Sequence, residues 1–157
     1  MRNILSVLVE NESGVLARIS GMFSRRGYNI ESITVGASEH SGLSRIIIVT
    51  DLEDVEQIQK QLHKLINTIK VSNLSETSFV DRELALIKVS SKIHRSEIIE
   101  ISSLFRSRII DVADDSIIIE ALGDNEKISS LIQILSPYGI KEVSRTGTIA
   151  MSRGKTK

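Results

Sequence analysis

The succession of hydrophobic periodicities constrains this chain more than any single motif. One run of strand, helix, strand, strand, helix, strand occupies residues 3–74, and the same run restarts near residue 84 and ends near 151. Residues 3–10 alternate, with Leu5, Val7 and Val9 on one face and Ile4, Ser6 and Leu8 on the other, which is a strand pattern. Val15, Leu16, Ile19, Met22 and Phe23 recur at three- and four-residue spacing, one face of a helix. Ser13 is the expected N-cap of that helix and Gly27 its left-handed stop. Strands follow at residues 28–37 and 43–50, joined by the polar loop 38–42. A second helix carries Val55, Ile58, Leu62, Leu65 and Ile66 behind an acidic start at Asp51, Glu53 and Asp54, and a fourth strand spans 69–74.

The second copy reads the same way. A strand at 84–89 precedes a helical face of Ile98, Ile101, Leu104 and Phe105. Strands at 109–112 and 116–122 flank the turn Asp114-Asp115. A helix with Ile128, Leu131, Ile132 and Leu135 stops at Ser136-Pro137-Tyr138-Gly139, and one closing strand covers 140–151. The residues from Arg153 to Lys157 look like a frayed basic tail. The fold class is therefore α+β: two ferredoxin-like βαββαβ domains, residues 1–77 and 78–157, with the boundary in the polar stretch Ser75–Ser78. Each places two helices on one face of a four-stranded antiparallel sheet. So small a unit buries a limited core, and its sheet edges and uncovered face invite a second copy.

Composition removes several functions. Lys+Arg and Asp+Glu both total 20, so nothing in the net charge calls for nucleic acid or an anionic membrane. Aromatic residues make up 3% of the chain and none lies in the strand 45–50, which argues against a base-stacking RNA-binding sheet. The absence of Cys excludes disulfides and thiolate metal sites. The apolar stretch at residues 4–9 is too short for a signal-peptide core, and no run approaches the roughly 20 residues of a membrane span. His40, His63 and His94 fall on separate elements and make no metal site. No Ser, His and acid arrangement, zinc-protease motif or nucleophile elbow occurs, so no catalytic residue is assigned. Gly123-Asp124-Asn125 has the first letters of a thiamine-diphosphate motif but lacks the rest, and reads as a turn capping the next helix.

One place suits a ligand. Asn11-Glu12-Ser13-Gly14 leads from a strand into a helix whose first N–H groups are unsatisfied, a ready site for a carboxylate. Gly14 permits close approach, and Asn11 offers an amide oxygen to an ammonium. The same residues are also ordinary helix-start punctuation.

Residues 4–16, ILSVLVENESGVL, resemble the opening of the acetolactate synthase small-subunit family. The likeness continues through 18–35 (RISGMFSRRGYNIESITV), Leu43-Ser44-Arg45, residues 57–65, residues 82–89 and residues 142–147, which end in Arg145-Thr146-Gly147. The resemblance covers essentially the whole chain and is least distinctive from 95 to 138. It implies that the first half is an ACT domain, and that two such domains pair side by side into one sheet with valine between them. It also implies a large catalytic partner that carries thiamine diphosphate, magnesium and FAD and condenses pyruvate with pyruvate or 2-oxobutyrate. This chain would activate that partner and impose feedback inhibition in branched-chain amino-acid synthesis. The family's effector residues fall on Asn11, Gly14 and Asn29, while Ala17 stands where some relatives carry Ser. Backbone N–H groups near Gly14, Val15 and Leu16 would take the valine carboxylate, Asn11 and Asn29 its ammonium, and Leu16 and Ile30 its isopropyl group. The expected compartment is a bacterial cytoplasm, or a plastid stroma. The alternative is a free-standing ACT-type sensor that regulates a different enzyme or transcription, and the family-like second half stands against it.

Overall fold

The computed structural model describes residues 2–154. The chain divides into two compact units, Met1–Val80 with Thr148–Lys157, and Asp81–Gly147. This division differs from the one drawn at residue 77. The first unit runs three residues further, and the chain returns to it at the end.

In the first unit, strand β1 (Asn3–Glu10) is followed by helix α1 (Val15–Arg25), strands β2 (Ile30–Ala37) and β3 (Leu43–Thr50), helix α2 (Val55–His63) and strand β4 (Thr68–Asn73). The sheet is antiparallel in the order β2-β3-β1-β4, the ferredoxin-like arrangement. Leu5, Val7 and Val9 of β1 and Ile46 and Ile48 of β3 pack under Ile19, Met22 and Phe23 of α1 and Ile58 and Leu62 of α2. The alternation in the strands and the three- and four-residue spacing in the helices put these residues on facing surfaces.

Helix α1 ends as expected. Gly27, at φ +67°, donates to the Ser24 carbonyl, and Tyr28 donates to the Phe23 carbonyl, the two bonds of a Schellman motif. Its start differs. Gly14, not Ser13, is the N-cap, and no side chain caps the helix. Helix α2 stops at His63, so Leu65 and Ile66 lie in the following turn and Ile66 is exposed. At its start the Asp54 carboxylate accepts the Gln57 N–H at 3.1 Å.

The second unit holds most of strand β5 (Phe79–Ser90), then helix α3 (Arg95–Leu104), strands β6 (Arg108–Val112) and β7 (Ser116–Gly123), helix α4 (Asn125–Leu135) and strand β8 (Ile140–Arg145). The sheet order β6-β7-β5-β8 repeats that of the first unit. Its core is Ala85, Ile87, Val89, Ile98, Ile117, Ile119, Ala121, Ile128, Leu131 and Leu135. Leu104 faces solvent, because α3 ends there and Ile98 and Ser102 already occupy its buried side. The Asp124 carboxylate accepts the Lys127 N–H at 2.8 Å, so Gly123-Asp124-Asn125 is the helix-capping turn its residues suggested.

The closing strand expected over 140–151 is two strands. β8 ends at Arg145, Gly147 turns at φ +84°, and β9 (Ile149–Ser152) belongs to the first unit. Ala150 joins Ile4, Ile47, Val49, Leu74 and Phe79 in a second small core, on the face of the first sheet away from its helices. That face was expected to be open. The chain's own end covers part of it, because Ile4, Ile47 and Val49 make it apolar. Arg153 is also tied down, donating its N–H to the Ser78 carbonyl at 2.8 Å and its Nε–H to Phe79 at 3.2 Å. The rest of the expected basic tail, residues 155–157, lies outside the described residues.

Candidate functional site

Between β1 and α1 the backbone turns sharply. The Asn11 N–H donates to the Gly42 carbonyl at 2.8 Å and Glu12 donates to the Glu10 carbonyl at 2.9 Å. Gly14 then takes φ +85°, ψ −3°, a left-handed conformation that other L-residues rarely adopt. The first helical bond runs from the Arg18 N–H to the Gly14 carbonyl at 3.0 Å, and Val15 reaches the Glu12 carbonyl only at 3.5 Å. Among the described residues, the N–H groups of Leu16 and Ala17 meet no acceptor. With no capping side chain in the way, two donors and the positive end of the helix face outward. A Cβ added at Gly14 would meet nothing within 4 Å, so the space in front of the helix is open.

The side chains divide the work. Val15 is buried and anchors the helix start in the core. Asn11 is exposed, and Leu16 is 45% exposed, an apolar surface with no cover in this chain. These four positions, Asn11, Gly14, Val15 and Leu16, stand together at one end of the sheet.

Asn29 and Ile30 are not with them. Glu10 pairs with Leu43 and Ile30 pairs with Thr50, the first and last residues of β3. At a strand rise of about 3.3 Å per residue those ends are about 23 Å apart. Asn29 is exposed and Ile30 half-buried, partly packed against the core it was expected to leave for a ligand. The six residues therefore fall into two groups at opposite ends of one sheet, one on the loop before α1 and one at the start of the edge strand β2.

A residue that the sequence reading passed over ties the loop before α1 to the rest of the unit. Asn67, in the turn between α2 and β4, is 5% exposed. Its carbonyl accepts the Glu10 N–H at 2.9 Å. Its side-chain amide donates to the carboxylates of Glu12 at 3.0 Å and Glu10 at 3.3 Å, and its Oδ1 accepts from the Arg18 guanidinium. Nothing local marked it, since its partners lie 49 to 57 residues away in the sequence.

His40, His63 and His94 stay apart as expected: in the β2–β3 loop, at the end of α2 and at the start of α3, all exposed. Among the described residues no three His, Asp or Glu side chains gather as metal ligands, and no helix is long and apolar enough to cross a membrane.

Known proteins carry the same architecture. Residues 5–70 match the model of the AHAS small subunit-like ACT domain, and residues 82–154 match the model of the small subunit of acetolactate synthase. The chain is 51% identical to the acetolactate synthase small subunit of Bacillus subtilis, over 98% of this chain and 92% of that one. It is 52% identical to the acetolactate synthase small subunit of Mycolicibacterium smegmatis, over 96% and 90%. The crystal structure of the acetolactate synthase small subunit from Thermotoga maritima superposes with a TM-score of 0.90 at 41% identity and covers 99% of both chains. Two domain models in the expected order, full-length relatives at half identity and a full-length structural match agree: this chain belongs to the acetolactate synthase small-subunit family.

Proposed function

We propose that the chain binds valine between two of its copies, activates the catalytic large subunit of acetolactate synthase and imposes feedback inhibition on it. The observation that carries this reading is the separation of Asn11, Gly14 and Leu16 from Asn29 and Ile30 along β3. One chain cannot close both halves on one small ligand. A two-fold axis that sets the β2 edges of two copies antiparallel brings the start of one β2 beside the end of the other. The sheet end that carries the loop of one copy then meets Asn29 and Ile30 of its partner, and two equivalent sites result. β2 is the free edge of its sheet, with Val35, Gly36 and Ala37 exposed, and an unpaired edge of this kind favours such an addition.

The chemistry of each half suits an α-amino acid. The free N–H groups of Leu16 and Ala17 and the helix dipole favour a carboxylate. Asn29 of the partner and Asn11 accept from an ammonium through neutral oxygens and add no charge. Leu16 gives a branched side chain an apolar wall. Thiamine diphosphate, magnesium and FAD belong, in this reading, to the catalytic partner.

The test is reconstitution. The catalytic subunit is assayed alone, with this chain, and with this chain while valine is titrated. The reading expects higher activity on addition of the chain and a fall with valine. Activity unaffected by the chain would overturn the regulatory role, and activation without any response to valine would overturn the effector.

A further inference from the structure

We propose that Asn67 is the positioning residue of the effector loop, and that its side-chain amide, bound to Glu12 and Glu10, sets how tightly the loop holds an amino-acid ligand. The inference rests on the valine reading above and deepens it.

The loop from Asn11 to Gly14 has few internal restraints. Its backbone bonds are Asn11 to Gly42, Glu12 to Glu10, the long Val15 to Glu12 contact and the first helical bond, from Arg18 to Gly14. Ser13 caps nothing. Asn67 supplies what the loop lacks. It is buried, yet its carbonyl and both polar groups of its side chain have partners on β1, the loop or α1, the three parts that must keep a fixed relation if Leu16 and Ala17 are to present their N–H groups to one carboxylate. The polarity is matched: the amide donates to acceptor-only carboxylates, and the carbonyl oxygen accepts from a donor-only guanidinium.

Aspartate is nearly isosteric with asparagine but has no N–H. At position 67, itself buried, it would place a third carboxylate against those of Glu12 and Glu10, while still accepting from Arg18. The loop would be pushed off its seat. Changing Glu12 to glutamine as well relieves the shorter of the two like-charge contacts and leaves the one with Glu10, because the amide now on the loop donates to the carboxylate now on the α2–β4 turn.

The experiment is calorimetric titration of the purified full-length chain with valine, alongside thermal melts. Wild type, Asn67→Asp, Glu12→Gln, the double variant Asn67→Asp/Glu12→Gln and the core variant Ile58→Val are compared. We expect Asn67→Asp to weaken valine at least tenfold and the double variant to recover at least threefold of that loss. Ile58→Val should lower the melting temperature without moving the affinity, which separates loop geometry from general stability. Affinity within twofold of wild type in a folded Asn67→Asp would overturn the proposal. So would a loss that Glu12→Gln does not relieve, or an equal loss in Ile58→Val. If Asn67→Asp does not fold, Asn67→Ala, which removes the amide without adding charge, is read the same way. A wild-type chain that binds no valine would instead overturn the effector reading on which this one stands.

Discussion

Glu10 and Ile30 face opposite ends of the same strand: Glu10 pairs with Leu43, where β3 begins, and Ile30 with Thr50, where it finishes. A site that uses both ends of this sheet needs a second chain. The isolated protein is therefore expected to be a homodimer at micromolar concentration. Val35 sits on the β2 edge, 47% exposed in the single chain. Val35→Asp would place a charge in the β2–β2 seam at little cost to the monomer. Sedimentation should show a dimer for the wild type and a monomer for this variant, with a small change in melting temperature. The monomer should bind no valine.

Gly14→Asp is expected to abolish valine inhibition. The new Cβ meets nothing in the chain, so the damage comes from φ +85° and from charge. A non-glycine residue pays about 1–2 kcal/mol there, and Asp bears it better than most. The carboxylate beside a bound carboxylate adds repulsion, for which ~4 kcal/mol is the scale for unit charges 4 Å apart at an effective dielectric of 20. Allosteric coupling is typically about 1–3 kcal/mol, so the penalty exceeds it. Gly14→Ala separates the causes. It keeps the strain and lacks the charge, and should lose less than Asp in a valine titration of the reconstituted enzyme.

Much of this was legible in the sequence, and the reasons are local. Gly27 ends α1 where a left-handed residue is needed, and Asp54 and Asp124 cap helices through bonds to residues three positions on. The residues named for the effector fall at two opposite ends of one sheet, a separation that the strand register sets. What escaped depends on tertiary context. Ser13 has the chemistry of a cap, but the left-handed turn moves that role to Gly14. Residues 140–151 alternate like one strand, and only the turn at Gly147 splits them. Asn67 looks like any turn residue until β1 and α1 are packed beside it.

The returning C-terminal segment should matter to the first unit. Thr148 is buried, accepts from Arg2 at 3.0 Å and approaches the Ser32 hydroxyl at 3.5 Å, while Ala150 covers Ile4, Ile47 and Val49. Truncation after Gly147 exposes that small core. The expected loss is about 2 kcal/mol, the scale for one aliphatic side chain returned to water, read as a lower urea midpoint.

In the second unit the buried Glu83 carboxylate is paired with Arg145, whose Nε lies 2.7 Å away. Arg145→Ala leaves that carboxylate uncompensated and should cost about 3 kcal/mol in chemical unfolding. Adding Glu83→Leu should recover most of it, since the penalty belongs to the orphaned charge.

Asp115 is held below the ordinary carboxylate range, first by its hydrogen bond from Lys141 at 3.0 Å and then by that residue's charge. A depressed folded pKa means the pair helps above the ordinary value and ceases to help as pH falls through the folded one. Both groups are on the surface, so the effect is small and salt-sensitive. In Lys141→Ala the Asp115 titration, followed by NMR, should move upward.

The central claim, that each valine site takes its loop from one copy and Asn29 from the other, is tested most directly by a mixed dimer. One chain carries Gly14→Asp and its partner carries Asn29→Lys, which has no acceptor for the valine ammonium and repels it. Each homodimer should bind no valine. If the sites are shared, one site of the mixed dimer collects both lesions and the other collects neither. Calorimetry on the purified mixed dimer should then find one valine per dimer at wild-type affinity. A mixed dimer that binds no valine would mean that each site lies within a single chain, and would contradict the account.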